Sequence, residues 1–173
     1  MRITPAYLEQ NKALHAGGNY GLGGFRWAED ICEFMAANPV ASVLDYGCGQ
    51  GTFKKAFRGA NYIAEYDPAI PGKDGEPEPA DLVVCLDVLE HIEPECLDAV
   101  LAHIRALTLK AAVFAIHLSR AAKSLPDGRN AHLIIESQEW WLARIGERFT
   151  VKASDIAADR IGMRIVAVPR VTQ

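Results

Sequence analysis

Apolar and polar positions along the chain fall into two alternating regimes. Short, nearly continuous apolar runs (Ser42-Val-Leu, Tyr62–Tyr66, Asp81–Leu86, Ala111–Leu118) read as strands buried on both faces. Between them, Phe25–Asn38, Pro94–Leu109 and the stretch after Ser137 place apolar side chains at helical spacing, while residues 5–16, with Pro5 in the first turn, and Thr52–Arg58 read as helices from their helix-forming residues. In Phe25–Asn38 the apolar face is Phe25, Ala28, Ile31, Cys32 and Met35; after Ser137, an N-cap, it is Trp140, Trp141 and Ile145. Phe149–Asp155 and Met163–Val168 instead alternate, as half-exposed strands do. The gap between them is too short for a crossover helix, so they should pair antiparallel. The pattern predicts an α/β fold: a mostly parallel sheet flanked by helices and closed by an antiparallel C-terminal hairpin.

Two stretches refuse both periods. Residues 17–24 hold five glycines in eight positions, which predicts an irregular link. It reads either as a plain connection or as a lid over a ligand, with Tyr20 and Phe25 turned inward. Residues 68–80 hold four prolines and two glycines and predict a loop.

The centre of the sequence is Asp45-Tyr-Gly-Cys-Gly-Gln-Gly51, placed after an apolar strand and before a helix. A glycine turn at that joint lets a ligand approach bare backbone. The spacing differs from the dinucleotide fingerprint GxGxxG. With Asp67 at the tip of the next strand and the block Asp81–Ile92, it resembles the class I S-adenosylmethionine-dependent methyltransferases, small single-domain forms known from bacterial and phage gene clusters. The three blocks span about half the chain. The resemblance implies a Rossmann-like sheet, S-adenosylmethionine as cofactor, and contacts from Asp45, Tyr46, Gly47, Cys48, Gly49, Asp67, Pro68, Leu86 and Asp87. An acid at the position of Asp67 suits the ribose hydroxyls. In the family a helix and a third strand follow that acid; the proline-rich stretch predicts that this strand is reduced or absent here, so no adenine-reading residue can be assigned.

Composition narrows the rest. A net charge of −4 from 18 basic and 22 acidic residues offers no general attraction for nucleic acid and favours a small-molecule or nucleotide-like acceptor. Four scattered cysteines without a CxxC pair read as reduced thiols rather than a zinc site. The N-terminus lacks a signal-peptide pattern, and no run approaches the ~20 apolar residues of a membrane span. The expectation is a single cytoplasmic domain over 1–173, with residues 1–38 as N-terminal helices and glycine link and 39–173 as the α/β core.

Methyl transfer from a sulfonium needs alignment above all, and a base when the acceptor is a hydroxyl. His132, after a loop carrying Arg120, Lys123 and Arg129, and His117, at the end of its strand, are the candidate catalytic residues. The basic residues suit an anionic acceptor. His15 and His103 read as helix surface. Asp87-x-x-Glu90-His91 resembles a pattern which, with a later histidine such as His132, holds a divalent metal in some O-methylating branches. Relatives without metal carry Leu-Glu-His too, so a metal-dependent O-methyltransferase stays an alternative. A cofactor-fold binding module partnering an active subunit is the other.

Overall fold

The computed structural model describes residues 1–59, 62–156 and 162–170. Its centre is a six-stranded sheet in the order β2-β1-β3-β4-β6-β5. β1 (Ser42–Tyr46), β2 (Tyr62–Tyr66), β3 (Ala80–Leu86) and β4 (Thr108–His117) run parallel. β5 (Phe149–Ile156) and β6 (Gly162–Pro169) close the edge antiparallel, with β6 against β4. The connection at 157–161 lies outside the described residues.

The continuous apolar runs follow from this geometry, because both faces of the parallel strands are covered. Along β3, Val83 and Cys85 join Leu44 and Phe114 on one face. There they meet Leu101 and Ile104 of α4 (Leu97–Leu107) and Trp141 and Ile145 of α5 (Gln138–Gly146). Leu82, Val84 and Leu86 point the other way, toward Ile31 of α2 (Ala28–Ala37) and Phe53 of α3 (Thr52–Ala56). Ser137 caps α5 by accepting a hydrogen bond from the Trp140 N–H.

The stretch after Asp67 contains neither helix nor strand up to Pro79, which leaves β2 as an edge. Two successive turns fold it, with Ile70 N donating to Asp67 O and Lys73 N to Ile70 O, and Asp67 N donating to Lys73 O closes the loop. The expected loss of the third family strand is therefore what the chain shows.

Several expected boundaries move: α3 ends at Ala56 rather than Arg58, α4 begins at Leu97 after a 3-10 turn, and β4 begins at Thr108 rather than Ala111. Residues 23–27 wind as a 3-10 turn before α2, and Phe25, expected on the packing face, is 54% exposed. The helix expected to run to Leu109 stops at Leu107, where the Thr108 hydroxyl donates to Ile104 O. Leu109 then lies exposed on β4.

α1 (Pro5–Ala16) packs away from the main core. Tyr7 joins Leu125 and Ala131 in a separate small cluster under the 119–133 loop. Polar ties fix this N-terminal arm in place. Thr4 donates to Glu93 through both N–H and hydroxyl (2.8 and 2.7 Å), Tyr7 Oη donates to His91 O (2.8 Å), and Arg2 pairs with Glu76 (2.8 Å). The arm is thereby laid over the carboxyl ends of the strands.

Candidate active site

A cavity of about 670 Å³ opens at that carboxyl edge, where ligands bind in open α/β sheets. Its floor is the glycine turn. Gly47 and Cys48 N–H both donate to Tyr66 O (2.8 and 3.0 Å), locking the end of β1 to β2. Gly47 sits at φ +78°, and a Cβ there would stand 2.5 Å from Val88 Cγ2. Asp67 accepts from Gly49 N (3.0 Å) at Oδ2 and from Ala69 N (2.9 Å) at Oδ1. It is buried, yet its side chain borders the cavity beside Pro68.

Of the nine expected cofactor contacts, Tyr46, Gly47, Gly49, Asp67, Pro68 and Asp87 line the cavity. Asp45, Cys48 and Leu86 do not. Asp45 is buried beneath the turn, where burial pushes its carboxyl up to about 8 and leaves Oδ2 without a partner. Burial likewise raises the Cys48 thiol, and Leu86 packs into the core on the α2 side. Alternation explains two of them: Asp45 precedes Tyr46 and Leu86 precedes Asp87, so each side chain turns to the opposite side, whereas Cys48 lies in the turn between Gly47 and Gly49 with its side chain buried.

Asp87 follows β3 directly at φ +56°, the only non-glycine residue with positive φ among the described residues. A strained carboxylate at a strand end is a feature that functional sites retain. Its N–H donates to Ala115 O, and Oδ1 is buried without a hydrogen bond, 3.7 Å from His117 Nε2. Glu90, expected beside it on one helical face, instead turns fully inside and accepts from His117 N (3.0 Å). Burial, with Asp87 nearby, pushes its carboxyl up to about 8.

Three histidines line the far half of the cavity. His132 stacks on His117 (5.5 Å between ring centres) and meets His91 edge-on (4.7 Å). His132 Nδ1 lies 2.5 Å from Ser119 O, and His91 Nδ1 lies 2.7 Å from Ala131 O. A carbonyl only accepts, so both rings carry the proton on Nδ1 and keep a lone pair on Nε2. Burial lowers both histidines, His91 to about 4, and repulsion adds to the effect, from His132 on His91 and from His117 on His132. Both are neutral at pH 7. The metal-ligating set expected from sequence does not gather at one point: Glu90, His91 and His132 form one trio and Asp87, Glu90 and His117 another.

The roof comes from the arm. Tyr20 turns inward, with its hydroxyl 3.2 Å from His91 Nδ1, whereas Phe25 faces away from the cavity. Of the basic loop, Arg120 and Lys123 border the cavity, Lys123 donating to Asn19 O (2.6 Å). Arg129 does not; it pairs with Asp127 (2.7 Å) and lies over the Tyr7 ring. His15 and His103, expected on the surface, are both tucked in. His103 contacts the Tyr46 hydroxyl (2.9 Å), and His15 lies 3.9 Å from Asp67. The arm's contribution has little signal in hydrophobic periodicity, because α1 buries only Tyr7 and Asn11 and rests on the cavity rather than on the main core.

A parallel sheet with this glycine turn, this second-strand acid and an antiparallel end defines a class I methyltransferase fold. The chain belongs to the methyltransferase-domain family, which matches residues 24–158. Among solved structures it is similar to the Burkholderia thailandensis 1,6-didemethyltoxoflavin-N1-methyltransferase with bound 1,6-didemethyltoxoflavin and S-adenosylhomocysteine. That pair has TM-score 0.68 and 18% identity over 96% of this chain and 89% of the other. It is also similar to the N-methyltransferase NodS from Bradyrhizobium japonicum in complex with S-adenosylhomocysteine (0.63, 15%, 96% and 98%). Magnesium protoporphyrin IX methyltransferase from Synechocystis gives 0.60 and 18% over 86% and 84%. No curated protein matches the sequence. Among the described residues no helix is long and apolar enough to cross a membrane.

Proposed function

We propose that the chain transfers a methyl group from S-adenosylmethionine to a small-molecule or nucleotide-like acceptor, with His132 as the assisting base. The observation that carries this reading is continuity: one cavity joins the glycine turn and Asp67 at one end to the three histidines at the other. The residues present fit the cofactor. Gly47 and Gly49 offer bare backbone where a Cβ has no room, and Asp67 and Asp87 place carboxylates along the same floor. When bound, S-adenosylmethionine supplies an electrophilic methyl group on a sulfonium.

The chain's own residues do the rest. Asp67 accepts from ribose hydroxyls, and the Gly47–Gly49 backbone receives the cofactor closely. Tyr20, Leu22 and the glycine-rich link cover the cavity and keep water out, the lid reading of that segment. His132 Nε2 is free to take a proton from an acceptor hydroxyl. Arg26 and Arg120 line the cavity and suit an anionic group on the acceptor. The didemethyltoxoflavin enzyme, with a small heterocycle bound, lends support to a small acceptor. So does the cavity volume, which is of the size that small-ligand sites have.

The test is a calorimetric titration with S-adenosylmethionine and S-adenosylhomocysteine. It is followed by a panel of hydroxyl-, amine- and carboxylate-bearing acceptors scored by S-adenosylhomocysteine release. Binding of both cofactor forms with turnover on a small acceptor is expected; absence of cofactor binding would overturn the reading. A metal-dependent variant is the second reading. It is favoured by one observation, that ligand atoms of Glu90, His91 and His132 lie within 4.8 Å of one another. Full turnover in excess chelator would eliminate it.

A further inference from the structure

His15 closes the last turn of α1, outside the stretch that matches the family, and nothing in the glycine-turn motif refers to it. Its side chain is nevertheless only 9% exposed, inside the cavity. One ring nitrogen, Nε2, faces Asp67 Oδ2 across 3.9 Å. The other, Nδ1, is buried with no hydrogen-bond partner. Its backbone is held by the glycine turn itself, because Gln50 Nε2 donates to His15 O (3.0 Å) while Gln50 N donates to Gly21 O (3.0 Å). Gly21 is bare where it meets the ring: a Cβ there would stand 2.7 Å from His15 Cε1. The imidazole is thus positioned from three sides and satisfied from none.

The 3.9 Å gap is informative. It exceeds the ~2.7–3.2 Å of a direct hydrogen bond, yet a single hydroxyl oxygen can stand about 2.8 Å from both atoms. Each Asp67 oxygen already accepts one backbone N–H and keeps a lone pair for a ligand. We propose that His15 is a cofactor-binding residue that, together with Asp67, reads the ribose hydroxyls of S-adenosylmethionine from the side of the N-terminal arm. The inference rests on the cofactor reading above and adds to it a contact from outside the family core. It also gives α1 a purpose that its sparse core packing does not.

The experiment compares S-adenosylhomocysteine with its 2′,3′-dideoxyribose analogue by calorimetry on the full chain. Wild type should prefer the hydroxylated ligand by at least about tenfold, the scale of lost hydrogen bonds. His15→Ala should weaken S-adenosylhomocysteine by roughly tenfold while binding the dideoxy analogue as wild type does, and His15→Gln should recover part of the loss. Equal weakening of both ligands would mean a displaced arm and would overturn the proposal, as would unchanged affinity for S-adenosylhomocysteine. Wild type failing to bind S-adenosylhomocysteine at all would overturn the cofactor reading itself, a result distinct from either.

Discussion

Gly49 and Gly21 lie so close that a Cβ built on Gly49 would stand 2.5 Å from the Gly21 carbonyl oxygen. The cofactor turn and the glycine-rich link therefore touch backbone to backbone, and Gln50 N–H seals the contact on Gly21 O. Gly49 also sits at φ +51°, a conformation that L side chains rarely adopt. Gly49→Ala should therefore lift the arm off the site and destabilise the fold by about 1–3 kcal/mol. Limited proteolysis within residues 17–24 should accelerate, and the melting temperature should fall. Unchanged cleavage would show that the arm does not depend on this contact. Gly47→Val faces the same problem against Val88, so it should lower stability as well as binding.

Asp67 has two tasks that substitution can separate. It orders the turn by accepting from Gly49 and Ala69, and it borders the cavity. Asp67→Ala leaves both N–H groups unpaired, whereas Asp67→Asn keeps an acceptor at lower charge. The expected loss of S-adenosylmethionine affinity is roughly 1–3 kcal/mol for alanine and less for asparagine, the scale of charge-assisted hydrogen bonds. Calorimetry giving equal affinity for wild type and Asp67→Ala would remove Asp67 from the ribose site.

The strands and the turn were legible because parallel strands covered on both faces leave continuous apolar runs that admit few other readings. Tyr62–Tyr66 and the Ser137 cap are found where the pattern puts them. Phe25 was not, because a 3-10 turn advances three residues per turn and rotates it off the helical face. The α1 part of the roof was missed for a different reason. His15 and Asn11 border the cavity from α1, and polar positions on a helix read in sequence as solvated, whereas Tyr20 falls in the segment that the lid reading offers. Glu90 shows the same gap from the other side: its sequence neighbours suggested a ligand, and its place is inside, under His117.

Glu90 and His91 should make stability depend on pH in opposite directions. Burial raises Glu90 from 4.5 to about 8, so the folded state holds a proton that the unfolded chain releases. Its contribution is fully present below pH 4.5 and is lost as pH rises toward 8. Burial lowers His91 from 6.5 to about 4, so its contribution is present above pH 6.5 and is lost as pH falls toward 4. Glu90→Gln keeps an acceptor for His117 N–H and removes the ionisation. Denaturant midpoints between pH 5 and 8 should therefore fall less steeply for Glu90→Gln than for wild type. Parallel curves would show that Glu90 is ionised in the folded protein.

His132 is the residue whose state can be tied to turnover. Its Nδ1 proton is committed to Ser119 O, which leaves Nε2 as the basic atom on the cavity side, and Asn130 Oδ1 fixes the local backbone through His132 N. Burial lowers its pKa from the ordinary 6.5, so the neutral form persists below the pH at which an exposed histidine protonates. The rate with a hydroxyl acceptor should hold from pH 7 downward through 6.5 and fall only as pH drops through the depressed value. His132→Ala should remove that acid limb and lower kcat by about 10²–10⁴, the usual contribution of a positioned base. S-adenosylmethionine affinity should barely change, since the ring stands at the far end of the cavity from the glycine turn. His117 stacks on the same ring and offers a control. His117→Ala should loosen the pair and cut kcat less, because its backbone N–H, rather than its ring, anchors Glu90. A reversed order of the two effects would transfer the base to His117. An unaffected rate in both variants would mean that the acceptor is an amine or another nucleophile that needs no base.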